Sequence, residues 1–143
     1  MAELIDGKAI AAQIRAQIAQ EVLKLQEDQG VTPGLAVVLA GDDPASKTYV
    51  RNKEKACEEA GIYSEKYLLP ADATQEQLMD LVRRLNEKQD IDGILVQLPL
   101  PEGLDDKSIV EAIRPDKDVD AFHPVNVGEI MIGNYRFLPC TPA

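Results

Sequence analysis

The sequence predicts an α/β fold: a three-layer α/β/α domain with a small parallel sheet, ordered β-α-β-α-β behind an N-terminal helix. Two observations predict it. Short, nearly all-apolar runs bounded by glycine or proline alternate with longer runs of helical apolar period. Strands that alternate with helices pair in parallel through crossover connections. The 143 residues suit a single domain, and 45% hydrophobic residues can fill an ordinary core. Aromatics make up only 4% and there is no Trp, so that core is expected to be aliphatic.

The elements follow in order. Residues 8–28 repeat Ile10, Ile14, Ile18, Val22 and Leu25 at helical spacing, with Gly30 as a stop. "GLAVVLAG" (34–41) reads as a strand buried on both faces. Asp43 and Pro44 start a second helix, as N-cap and first helical residue, which Gly61 ends. "IYSEKYLL" (62–69) is a weaker, partly polar strand. Thr74 caps a third helix to about Asn86, with Leu78, Leu81, Val82 and Leu85 on its apolar face. "GILVQLPLP" (93–101) opens as a strand that Pro99 and Pro101 end, because proline has no N–H for the ladder. A short helix at 105–113 precedes "RPDKDVDAFHPVNVGEI", which reads as loop. In parallel sheets ligands bind at the carboxyl ends of strands. Here those ends carry "AGDDPASKTY", "LLPADAT" and "QLPLPEG".

A formal net charge of −10 argues against nucleic acid or an anionic membrane as partner, since both need a basic face. Cys57 and Cys140 form no CxxC or Cys/His cluster, which speaks against zinc and fits a reducing compartment. No run reaches the roughly 18 apolar residues of a membrane span, and "MAELIDGKAI" has no apolar leader region. A soluble, cytoplasmic protein without a metal is expected. There is no GxGxxG and no GxxxxGK[ST], so no cofactor-binding residue is assigned in this chain.

On a helical wheel of residues 44–60, Ala45, Tyr49, Ala56 and Ala60 share one stripe, flanked by Ser46, Val50 and Cys57. Lys53 projects near the middle of it. The side chain either snorkels, covering apolar surface with its stem, or presents a functional amine in a cleft, usable for proton transfer. Tyr49 lies one turn earlier. Gln97 is the one polar residue of "GILVQL"; it either ends the strand or reaches a ligand cleft. "DKDVDAFHP" gathers Asp116, Asp118, Asp120 and the only histidine, His123. It has no EF-hand spacing. It is either a solvated acidic loop or supplies a carboxylate that accepts paired N–H donors from a ligand. His123 is given no catalytic role.

"GLAVVLAGDDPASKTYVRNKEKACEEAGI", "DGILVQLPLP", "PDKDVDAFHPVNVG" and "PCTP" closely resemble the bifunctional methylenetetrahydrofolate dehydrogenase/methenyltetrahydrofolate cyclohydrolase family. The resemblance covers essentially the whole chain and keeps the motif order. It implies one-carbon folate metabolism feeding purine, formyl-Met, histidine and methionine synthesis. It implies tetrahydrofolate derivatives as ligands, NADP as cofactor and a homodimer. Residues 1–138 would be the folate-binding catalytic domain. Residues 139–143 would begin the connection to a Rossmann NADP-binding domain, which this sequence does not contain, so dehydrogenase activity is not expected of the chain alone.

The resemblance also implies site roles. The family's YxxxK lysine falls on Lys53 as general acid/base. Its folate-facing tyrosine falls on Tyr49. The VQLP glutamine falls on Gln97, with Val96 and Leu98 beside it in the substrate-binding set. The second Asp of DVD, which holds the pterin, falls on Asp120. The family usually has Gly after DVD, where this chain has Ala121; if that position needs a positive φ, Ala strains the loop.

Overall fold

The structure is a computed structural model, and it describes residues 6–139. Helix α1 (Gly7–Gln29), strand β1 (Gly34–Ala40), helix α2 (Pro44–Ala60) and strand β2 (Tyr63–Leu69) come first. Helix α3 (Gln75–Glu87), strand β3 (Gly93–Val96), helix α4 (Asp106–Ala112) and helix α5 (Pro124–Met131) follow. The local signals act as their chemistry dictates. Asp43 caps α2 by accepting the Ser46 N–H at 2.7 Å, and Gly61 ends that helix in the left-handed region at φ 73°. Thr74 and Gln77 form a reciprocal capping box on α3.

The three strands are parallel in the order β2-β1-β3. β1 is therefore central, which explains its nearly continuous apolar sequence. Its side chains alternate between two cores. Ala36, Val38 and Ala40 pack with Leu78, Leu81, Val82 and Leu85 of α3 and with Ile109 of α4. Val37 and Leu39 pack with Val50 of α2 and Leu95 of β3. The three-layer α/β/α expectation is met, with α1 lying on α2.

Three details depart from the sequence reading. Residues 124–131 form α5 instead of loop: His123 is its N-cap and Pro124 its first helical residue, the same signal that started α2. Strand β3 is only four residues long, although the Gln97 N–H still reaches the Val38 carbonyl at 2.8 Å. Of the α1 stripe only Val22 is buried; Ile10 and Ile14 are about half exposed and Ile18 is 36% exposed.

Candidate active site

On α2 the buried residues are Ser46, Val50, Cys57 and Ala60. The spacing 46, 50, 57, 60 leaves one position of the inward line unfilled by an apolar residue, and that position is 53. The wheel stripe was centred one side too far: Ala45 is exposed and Tyr49 is 60% exposed. Lys53 thus stands on the inward face itself. It lines a cleft of about 770 Å³ with Leu35, Cys57, Leu95, Val119 and Asp120. Burial alone pushes the Cys57 thiol upward.

Lys53 Nζ donates to Gln97 Oε1 at 2.9 Å. Gln97 Nε2 in turn donates to the Leu98 carbonyl at 2.9 Å. That second bond orients the amide, so the lysine meets its oxygen and not its nitrogen. Gln97 is there because the ladder runs one residue past β3; the cis peptide Leu98–Pro99 follows directly.

Asp120 comes from the segment between α4 and α5. This segment leans on the outer edge of β3: Ile94 N–H donates to the Lys117 carbonyl at 2.7 Å, and Ile94 and Asp118 pair as an isolated parallel bridge. Gly93 makes the approach possible, since a Cβ there would lie 2.6 Å from Val119 Cγ1. Ala121 has φ +56°, so the turn after Asp120 does adopt the left-handed conformation that favours glycine. Burial raises the Asp120 carboxyl above its ordinary value; Lys53 opposes the shift and Asp118 adds to it.

The sequence-predicted residues do not all converge. Lys53 and Asp120 both line the cleft, and Gln97 joins them through its hydrogen bond to Lys53. Tyr49 stands one turn up α2, outside its lining. Val96 packs in the core on the opposite face of the sheet and Leu98 packs against it, so neither side chain lines the cleft. The cleft does not follow the carboxyl edge of the sheet either. It runs along the α2 face toward Gly34 and Gly93, at the amino ends of β1 and β3.

The tetrahydrofolate dehydrogenase/cyclohydrolase catalytic domain matches residues 5–120. The chain belongs to this family. It is 58% identical over 142 residues to the bifunctional protein FolD of Geotalea daltonii, covering 99% of this chain and 50% of that protein. The FolD of Moorella thermoacetica is 55% identical over 141 residues, with the same coverage. The chain therefore spans about half the length of the curated relatives it matches. Among solved structures, the bifunctional FolD dehydrogenase/cyclohydrolase of Campylobacter jejuni superposes with a TM-score of 0.93 at 47% identity, over 96% of this chain and 49% of that one. The Trypanosoma brucei dehydrogenase-cyclohydrolase, complexed with NADP cofactor and inhibitor, gives 0.93 at 40% identity over 97% and 48%.

NADP is the cofactor bound in that relative, and the β1–α2 turn of this chain does not fit its phosphates. The β1–α2 turn is where a nucleotide site of this topology would sit. It carries Asp42 and Asp43, and the Ser46 backbone N–H holds the Asp43 carboxyl below its ordinary value. A phosphate would meet two carboxylates and an N-terminus already capped.

Proposed function

We propose that this chain is the folate-binding catalytic half of a bifunctional methylenetetrahydrofolate dehydrogenase/methenyltetrahydrofolate cyclohydrolase, acting in cytoplasmic one-carbon metabolism. One observation carries the reading: a lysine inside a drug-sized cleft, hydrogen-bonded at 2.9 Å to a glutamine whose amide is itself held.

The methenyl substrate is an amidinium cation, and water adds to its electrophilic carbon. In the proposed step a water oxygen bonds to that carbon while neutral Lys53 takes the water's proton. The carbon–ring-nitrogen bond then breaks, Lys53 returns a proton to the departing nitrogen, and 10-formyl-tetrahydrofolate leaves with one proton released overall. Gln97 fixes the amine in the cleft, and Asp120 accepts two N–H bonds from the aminopyrimidine edge of the pterin. The exposed ring of Tyr49 offers a face to the aromatic part of folate. Val96 and Leu98 are read as backbone contacts of the same ligand. NADP would supply hydride acceptance in the dehydrogenase step and is read as bound mainly by residues outside these 143. A homodimer, and supply of one-carbon units for purine, histidine and methionine synthesis, go with this assignment. Residues 1–138 are read as the functional domain; 140–143, most of the proposed connection, lie outside the described residues.

The test is hydrolysis of methenyl-tetrahydrofolate by the purified chain and by Lys53→Met. General acid–base catalysis is worth about 10²–10⁴-fold, and Lys53→Met should lose it. Equal rates for both proteins and buffer would remove catalysis from these 143 residues. Calorimetric folate binding without turnover would then select a non-catalytic binding module.

A further inference from the structure

Among the described residues, no hydrogen bond ends on the carboxylate of Asp120, so nothing grips that side chain directly. Its position depends on the backbone of residues 115–123, and that backbone is tied from α5. Asn126, in the first turn of α5, is 4% exposed. Its Nδ2 donates to the Pro115 carbonyl and to Asp118 Oδ2, both at 2.9 Å. Asp118 Oδ2 also accepts the His123 N–H at 2.8 Å. One amide and one carboxylate therefore join the start, the middle and the end of the segment.

We propose that Asn126, acting with Asp118, is a positioning residue: it clasps the 115–123 segment so that Asp120 stays in the cleft. Two features say the clasp is more than loop packing. Asp118 is 1% exposed, and its charge is met by an amide and a backbone N–H with no cation in the set. A carboxylate buried that way is costly, and an apolar residue would close a mere turn with less loss. The segment also holds Ala121 at φ +56°, a conformation that persists only where surrounding bonds over-determine it. Both costs fall on the residues that flank Asp120.

The functional meaning of the clasp rests on the pterin role proposed for Asp120; its geometry does not. Two readouts on the full 143-residue chain separate them. The first needs no folate: the Asp120 carboxyl is titrated by ¹³C NMR in the parent and in Asn126→Ala. Loss of the clasp should let Asp120 move into water and its midpoint fall toward the ordinary aspartate value. An unchanged midpoint in a folded variant would overturn the proposal. The second is calorimetric affinity for 5-formyl-tetrahydrofolate. Asn126→Ala, which removes two buried hydrogen bonds, should weaken it about tenfold through its effect on Asp120. In an Asp120→Ala background it should weaken it no further. Additive losses would show that Asn126 does not act through Asp120. If Asp120→Ala binds like the parent, the pterin role fails and the titration alone decides the clasp. Should Asn126→Ala not fold, Asn126→Ser, a polar side chain too short to span both partners, is read in the same way.

Discussion

Asp120 carries a cost of burial. Its carboxyl is raised by burial, so ionising it is harder in the folded chain than in the unfolded one. A raised acid contributes stability below its unfolded value, near 3.8, and that contribution is lost as pH rises through the folded value. Asp120→Asn should therefore raise the thermal midpoint at pH 7 relative to the parent, with the gap closing below about pH 4. The same substitution should weaken folate binding, a trade of stability against function. Ala121→Gly should stabilise by about 1 kcal/mol, since Cβ costs roughly that much in the left-handed region; a urea midpoint moving the other way would contradict it. At this scale the sequence was most legible where one residue type broke a pattern. Lys53 interrupts an apolar line and Gln97 an apolar strand, so both stood out. Asn126 did not, because an asparagine two residues after a proline looks like ordinary turn chemistry until the loop it ties is seen.

Elements were legible in proportion to their punctuation. Helices α2 and α3 have an N-cap, a helical period and a buried face, and they end within about a residue of expectation. Helix α5 has the same cap and proline, but its eight residues include Gly128 and bury only Asn126, so no apolar period announces it. Strand β2 shows a different limit. Its sequence is partly polar and reads as the weaker strand, yet says nothing of what Glu65 does. Glu65 there accepts from Lys88 Nζ, Tyr63 Oη and Tyr67 Oη. The Lys88 bond first, then the two tyrosines, brings its carboxyl from the ordinary 4.5 down to about 2. A depressed acid contributes stability above its unfolded value, which is lost as pH falls through the folded one. The parent should therefore lose stability between about pH 4.5 and pH 2, and Glu65→Gln should lose less over that window. Parallel acid-melting curves for the two proteins would show the cluster contributes nothing.

Across the whole molecule, the sheet and both cores were readable, and the use of α1 was not. Its Ile10–Ile14–Ile18 stripe follows the expected period, but among the described residues it is left partly open to solvent. Ile14→Ser should change the thermal stability of this chain by less than about 0.5 kcal/mol, as an exposed site does. Val22→Ala on the same helix should cost about 2 kcal/mol. Equal losses would mean the stripe is covered. The half-length match to curated relatives agrees with the resemblance, which covered only the family's folate-binding domain. Lys53, Gln97 and Asp120 come from α2, the end of β3 and the segment before α5, and the Lys53–Gln97 bond alone spans 44 residues. Closing a loop of that length is entropically uphill until the sheet forms around it. No locally folded fragment can hold the pair together. Ligand binding should then vanish in step with cooperative unfolding of the β1–β3 core, which makes the cleft a sensor of the intact fold.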